Sequence, residues 1–421
     1  MKYCKINNGI YNVHFITTNK FKTTTISINF REKVKKEDIT IRKFLFQMLT
    51  STTLKYNTSR LFEIKLEDLY SLSLSHSNIK FGNYINSYID IRFLDKKYSD
   101  ERLLYNSIDL LFEILFNPNV VNNEFESKNF NIVKDKLNLI IKSSKENTQK
   151  YTLNKALELM DNMDPISFNM WGYKKDLYNI TEKSLYEYYK HVLDTNIIDI
   201  FVVGNVNKNE VLRYIESKFK FKNNRAIDVD PFITYKQVPK LKSKSEVMDI
   251  IQSKLAIICK VLDLSLFERR YVLPIYTSIL GAGSTSRLFV NVREKNSLAY
   301  SISAMNNSPN SILMISSGID EENYDTVVNL IKEEINLKNV KDLEVETARK
   351  EILSSIETLL DSPASIINYY YGIEVFNADP INKKVLNYNK VTSKDVEALA
   401  NKIYISSIYF LKGSKNGKDK N

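Results

Sequence analysis

An α+β protein built from two similar domains is what this sequence predicts, and three observations predict it. Strand-like and helix-like segments follow one another in the same order in both halves of the chain. A polar stretch at 221–246 carries Pro231 and Pro239 and ends in alternating Lys and Ser, which reads as a linker. With 421 residues, there is enough chain for two to three domains with substantial cores. The division expected is a first domain at 1–220, the linker at 221–246, and a second domain at 247–421.

The elements come from apolar spacing. Segments 10–18 and 23–30 read as strands, joined as a hairpin with its turn near Asn19 and Lys20. Segment 38–53 reads as a helix, with Ile41, Phe44, Leu45, Met48 and Leu49 as its apolar stripe. Ser59 opens a helix to 72, and strands follow at 72–77 and 84–93. A helix over 99–116 is stopped by Asn117-Pro118. Helices at 124–144 and 153–163 follow. Thr181 starts a capped helix, 197–203 is a buried apolar strand, and 207–219 is a helix.

The second half replays this order. Segment 247–261 is strand-like and 266–280 helical. Strands at 297–304 and 311–317 precede helices at 321–335, 340–360 and 365–375. A helix at 392–403 begins Thr-Ser-Lys-Asp, comparable with Thr181-Glu-Lys-Ser, and a strand at 404–411 is comparable with 197–203. The residues after Lys412 read as a loose tail.

Bulk properties exclude several classes. No apolar run approaches the roughly 20 residues that span a bilayer, and the N-terminus has no signal-like apolar stretch. Cys4 and Cys259 make neither a disulfide framework nor a zinc spacing. A cytoplasmic location is the expectation. The net charge of +10 is spread along the chain, with mild clusters at 240–244 and 412–420. It reads as compositional drift rather than as a nucleic-acid footprint. No P-loop, G-x-S-x-G elbow or dinucleotide fingerprint is present. His14, His76 and His191 do not pair at a ligand spacing, and each reads as a surface or satisfied core histidine. The stripe Tyr186, Tyr188, Tyr189 reads as helix packing.

The informative stretch is 280–300, Leu-Gly-Ala-Gly-Ser-Thr-Ser-Arg-Leu-Phe-Val-Asn-Val-Arg-Glu-Lys-Asn-Ser-Leu-Ala-Tyr. Gly281 and Gly283 break the apolar helix that begins near Leu266. Ser284, Thr285 and Ser286 offer oxygens to cap the next one. Leu288, Phe289 and Val292 give that helix a buried face. Taken alone, Arg293 reads as a solvated helix charge and Tyr300 as a half-buried strand tyrosine.

The longer pattern resembles the second-domain signature of the pitrilysin/insulinase-type zinc metallopeptidases. That resemblance implies two homologous α/β-sandwich domains of the insulinase-type (LuxS/MPP-like) metallohydrolase fold. It also implies that Arg293 and Tyr300 match the family's arginine–tyrosine pair, which acts across an active site on a substrate bound at zinc. Ser297 departs from the pattern, which prefers glycine before Leu-Ala-Tyr.

The same family places H-x-x-E-H on the first helix of the first domain, where two imidazoles one turn apart bind zinc and the glutamate activates water. Here 41–49 reads Ile-Arg-Lys-Phe-Leu-Phe-Gln-Met-Leu, so Lys43, Phe46 and Gln47 occupy those positions. An ammonium repels a dication, Phe46 has no basic group, and an amide is a weak ligand. The third ligand's column falls near Leu139 or Ile140, with no carboxylate.

The resemblance therefore implies a non-catalytic bacterial member of the family. It would hold no cofactor itself and would supply Arg293 and Tyr300 to a homologous subunit that carries an intact H-x-x-E-H, its zinc and an extended peptide substrate. A homodimer is open to the chain in isolation, and no nucleic-acid or membrane partner is expected. The alternative is a non-enzymatic scaffold or peptide-binding protein of the same superfamily. Nucleic-acid binding through the positive charge is a weaker third reading.

Overall fold

The computed structural model describes residues 1–219 and 227–414. In chain order the first half runs β1 (Lys2–Asn7), β2 (Tyr11–Thr17), β3 (Thr23–Lys33), α1 (Asp38–Leu49), α2 (Ser59–Asp68), β4 (Ser73–Phe81), β5 (Tyr84–Leu94), α3 (Leu103–Phe116), α4 (Ser127–Ser143), α5 (Thr148–Met160), α6 (Lys174–Asn179), α7 (Glu182–Thr195), β6 (Ile197–Gly204) and α8 (Lys208–Lys218). The second half runs β7 (Lys242–Met248), β8 (Ser253–Val261), α9 (Leu273–Gly281), β9 (Ala299–Asn307), β10 (Ile312–Ile319), α10 (Tyr324–Ile335), α11 (Asp342–Glu357), α12 (Pro363–Phe376), α13 (Ile381–Tyr388), α14 (Ser393–Ala400) and β11 (Ile403–Gly413).

The chain folds as α+β with two compact units. The first comprises Met1–Ser143, Asn169–Val229 and Leu360–Tyr371; the second comprises Ser144–Phe168, Asp230–Leu359 and Gly372–Asn421. Each is assembled from both halves of the sequence. The tract 221–246 is only partly a connection: 220–226 lie outside the described residues, and Lys242–Met248 is a strand of the second unit's sheet.

The two sheets share one plan. In the first unit the order is β1-β2-β6-β3-β5-β4, and in the second β9-β10-β8-β11-β7. In both, the last-threaded strand runs parallel to one neighbour and antiparallel to the other: β6 against β2 and β3, β11 against β7 and β8. The helices before these strands, α7 and α14, both open with a capping box, on Thr181 and Thr392. This is the duplication expected from the repeating order of elements, with β1 as an addition to the first sheet.

One expectation is corrected. Segments 10–18 and 23–30 are strands but not a hairpin, because β6 lies between them: Val202 is opposite both Phe15 and Ile26. The reason is the composition of β6, Ile-Ile-Asp-Ile-Phe-Val-Val-Gly, buried along nearly its whole length. A strand apolar on both faces belongs at the centre of a sheet.

The two faces of each sheet differ. Alternate residues of β3, namely Ile26, Ile28 and Phe30, enter the first core with Phe44, Leu45 and Phe46 of α1. Ser27, Asn29 and Arg31 point to the other face, which is buried but polar. In the second unit Leu255, Ile257 and Cys259 of β8 enter the main core, and burial pushes the Cys259 thiol up. The alternate residues Ala256 and Ile258 pack with Leu157 and Met160 of α5 in a separate apolar cluster.

Candidate functional site

Helix α1 carries the positions where the family resemblance places a metal. Lys43 is half-buried, with its ammonium 4.8 Å from the centre of the Trp171 ring. Phe46 is fully buried and tilts against Phe30, 5.7 Å between ring centres. Gln47 is half-buried, and Leu139 on α4 is largely exposed. His76 on β4 stands against the same helix, with Nδ1 2.8 Å from Thr50 Oγ1. Burial first, and then the charge of Lys43, lower its pKa to about 4. The local field is thus set by a lysine with no carboxylate ligand set, and these residues do not fit a zinc ion. Among the described residues no group of three or more His, Cys, Asp or Glu is placed to hold a metal.

The interior beside this helix is polar in a way the sequence reading missed. Arg42 is fully buried. Its guanidinium donates to Ser87 Oγ (2.6 Å), to the Phe30 carbonyl (2.6 Å), to Asn196 Oδ1 (2.8 Å) and to the Glu32 carboxylate. Tyr188 Oη donates to the same carboxylate at 3.1 Å, and His191 Nε2 lies 3.3 Å from it. Arg42 therefore ties α1 to β3, β5 and the end of α7. Its position in the α1 stripe, three residues before Leu45 and seven before Leu49, was the available signal. On the polar face of the sheet, His14 sits between Tyr3 Oη (2.9 Å) and the buried Asp199 carboxylate (3.3 Å). Despite burial, His14, Arg31 and Asn12 hold Asp199 below the usual carboxylate range. All three histidines are thus partnered, as expected, and Tyr188 and Tyr189 pack in the core.

The second unit carries Arg293 and Tyr300, and its local structure explains the signature residue by residue. At Gly281 an added Cβ would come within 2.6 Å of Ala304 Cβ and 2.7 Å of the Ala304 nitrogen, so only glycine lets α9 approach β9 this closely. Gly283 has φ +106, a turn that L side chains rarely adopt. Ser286 does not cap as expected. Its hydroxyl donates back to the Gly283 carbonyl at 2.7 Å. Arg287 makes a fork-to-fork pair with Glu344, at 2.7 and 2.9 Å, and donates to the Lys338 carbonyl at 3.0 Å. It fastens the turn to α11.

The helix that follows is wound as a π-helix over Phe289–Glu294, with the Lys295 amide bonded to the Val290 carbonyl at 2.9 Å. Arg293 is exposed on it, and its guanidinium lies 4.9 Å from the Phe289 ring centre. Among the described residues no carboxylate pairs with it. Ser297 then takes φ +52, and its amide bonds to the Arg293 carbonyl at 3.0 Å. The Leu298 amide bonds to the Val292 carbonyl, also at 3.0 Å, so the π-turn and the start of β9 are stitched together.

Tyr300 stands at an irregularity of β9. Ala299 pairs with Ile319 and Ser301 with Gly318, so Tyr300 is the extra residue of a β-bulge. The bulge breaks the in–out alternation, and Tyr300 and Ser301 both face solvent. The phenol is 60% exposed and donates to Asp320 Oδ2 at 3.2 Å. The Asp320 charge raises its pKa. Both signature residues thus sit, solvent-facing, on distorted backbone a few residues apart.

In fold and in sequence the chain is similar to the insulinase-type (M16) peptidases, as the family resemblance implied. Residues 179–352 match the family model described as "Peptidase M16 inactive domain". The chain is 26% identical to the "Probable inactive metalloprotease YmfF" of Bacillus subtilis, across 98% of each chain. Among solved structures it resembles a conserved protein from Enterococcus faecalis, with a TM-score of 0.90, 25% identity and coverage of 98% of this chain and 99% of that one. It shares its fold with a protease from Helicobacter pylori, with a TM-score of 0.78, 15% identity and coverage of 98% and 99%. No helix among the described residues is long and apolar enough to cross a membrane.

Proposed function

We propose that this chain is the non-zinc-binding subunit of a heterodimeric insulinase-type peptidase and is inactive alone. In this reading Arg293 binds a backbone carbonyl of an extended peptide by charge-assisted hydrogen bonds. Tyr300 donates its hydroxyl to the oxygen that gains charge at the scissile carbonyl. The metal belongs to a homologous partner with an intact H-x-x-E-H. The name of the Bacillus subtilis relative, a probable inactive metalloprotease, supports the absence of autonomous chemistry.

The observation that carries the reading is the bulge at Tyr300. A regular strand would alternate its side chains, whereas at the bulge this phenol faces outward beside Ser301 and donates to the half-buried Asp320 carboxylate. A packing remnant has no need of such a device.

The test begins with purification from the native host and a zinc measurement on the isolated and paired forms. In the active pair, Tyr300→Phe is expected to leave assembly intact and to slow peptide cleavage by about 10²–10³, the usual cost of one oxyanion donor. Unchanged turnover in that variant would favour a non-enzymatic scaffold. Stoichiometric zinc on the isolated chain, or unaided hydrolysis by it, would refute the reading outright.

A further inference from the structure

In the first unit, residues 364–371 of α12 lie over the polar face of the sheet and enclose a recess of about 50 Å³ with it. Ile79, Ala364 and Ile367 supply its apolar side. Its polar floor is a run of hydrogen bonds with one direction. Asn86 Nδ2 donates to Asn29 Oδ1 at 2.8 Å, Asn29 Nδ2 donates to Ser27 Oγ at 2.9 Å, and the Ser27 hydroxyl turns to Asp90. Strand register sets this up: Ser27 of β3 is opposite Asp90 of β5, and Arg31 is opposite Asn86.

Three atoms lining the recess are left over. Asn86 Oδ1, Asp90 Oδ1 and Tyr371 Oη are shut off from solvent and have no hydrogen-bond partner among the described residues. Asn86 is 1% exposed and Tyr371 6%. Burial lifts the Asp90 pKa to about 6, and only the bond from Ser27 opposes it. The flanking Arg92 is exposed, and its charge does not offset that of Asp90. Arg31, at the Asn86 end, is already engaged by Asp228 at 3.2 Å. A carboxylate that is ionised at neutral pH thus keeps one oxygen without a donor, beside a second bare acceptor and a bare hydroxyl. Such groups are costly to bury unmatched.

Asn86 and Asp90 are four residues apart on β5, about 13 Å along a strand. A single ion does not reach both. A short molecule with a polar group at each end does, and hydrocarbon between those groups gains from leaving water against Ile79, Ala364 and Ile367. We propose that this recess binds a small primary ammonium compound with a second polar group two or three carbons away: the ammonium meets Asp90, and the far group donates to Asn86 Oδ1 and accepts from Tyr371 Oη. A hydroxyl does both at once, and so does an amide. A free amino alcohol and the N-terminal residue of a peptide share this chemistry. The proposal is independent of the role assigned to Tyr300.

Calorimetric titration of the full chain with 3-amino-1-propanol and with 1,3-propanediol tests it, at pH 8, where Asp90 is ionised. The amino alcohol is expected to bind at least about tenfold more tightly than the diol, as befits a buried hydrogen bond to a charged group. Asp90→Asn should erase that difference. Tyr371→Phe should weaken the amino alcohol by about two- to tenfold and leave butylamine, which has no far hydroxyl, unchanged. Ala364→Phe, which closes the recess from an exposed position, should abolish binding without changing the far-ultraviolet circular dichroism. Glycinamide separates the two sources of the chemistry. Tighter binding of glycinamide than of the amino alcohol assigns a peptide N-terminus, and the reverse order assigns a free amino alcohol. Equal binding of amino alcohol and diol, an undiminished preference in Asp90→Asn, displacement by equimolar potassium or ammonium chloride, or no heat at millimolar ligand, which leaves the recess to water alone, would overturn the proposal.

Discussion

Lys43 stands where the family resemblance expects the first zinc ligand, and its charge reaches His76 on β4. In the unfolded chain His76 titrates near 6.5, and in the folded chain near 4, lowered first by burial and then by Lys43. Between those values the unfolded chain takes up a proton that the folded chain refuses. Stability is therefore full above about pH 6.5 and falls as the pH drops toward 4, by roughly 2–3 kcal/mol for a shift of this size. Replacing the imidazole should remove that slope. In urea melts at pH 7.5, 6 and 4.5, His76→Gln is expected to gain on the wild type as the pH falls, and Lys43→Met to gain less, because burial outweighs the lysine. A stability difference that ignores pH would show that His76 does not titrate as described. At this scale the sequence alone shows that Lys43, Phe46 and Gln47 are unsuited by chemical type to the metal-binding places the resemblance expects. The Arg42–Glu32 pair was not legible, since nothing local says which buried carboxylate meets which buried guanidinium.

At the level of elements, the turn between the π-helix and β9 decides where the two signature residues stand. Ser297 holds φ +52 there, a left-handed conformation that costs a residue with a Cβ about 1–2 kcal/mol. That cost explains why glycine suits this place in the family pattern. Ser297→Gly relieves it and loses a smaller amount, about 0.5–1 kcal/mol, to the greater freedom of the unfolded chain. A net gain of a few tenths to about 1 kcal/mol is expected from the urea midpoint. A loss would mean that the serine side chain contributes something its backbone strain conceals. Local features of this kind were readable in advance: the Thr181 and Thr392 caps involve residues three apart. Strand order was not. Whether 10–18 pairs with 23–30 depends on β6, nearly two hundred residues later, and an apolar run declares that it is central without naming its neighbours. The short, edge-forming β1 gave too little alternation to be seen.

Across the whole molecule, sequence order and packing order part company. Residues 144–168 come from the first half, yet α5 lies on the sheet of the second unit, with Ala156, Leu157 and Met160 against Ala256, Ile258 and Ile312. Ser407 Oγ donates to the Ala156 carbonyl at 2.6 Å, and Tyr235 Oη to Asp164 Oδ2 at 2.6 Å. Conversely, Leu360–Tyr371 belongs to the first unit, where Tyr370 stacks on Tyr3 at 4.1 Å between ring centres and Tyr371 packs edge-on to Phe201. A chain cut between 219 and 227 therefore leaves both units built from both pieces. Each buried leucine or methionine that such a cut would have to expose is worth about 2–5 kcal/mol on the scale of truncation to alanine. The pieces 1–219 and 227–421, made together, are expected to co-purify as one species and to separate only in denaturant. Residues 230–421 made alone should expose the face that α5 covers and bind a hydrophobic dye, and a peptide spanning 144–168 should quench that signal. Clean separation of the two pieces in native buffer would mean that the exchanged segments do not hold the two pieces together.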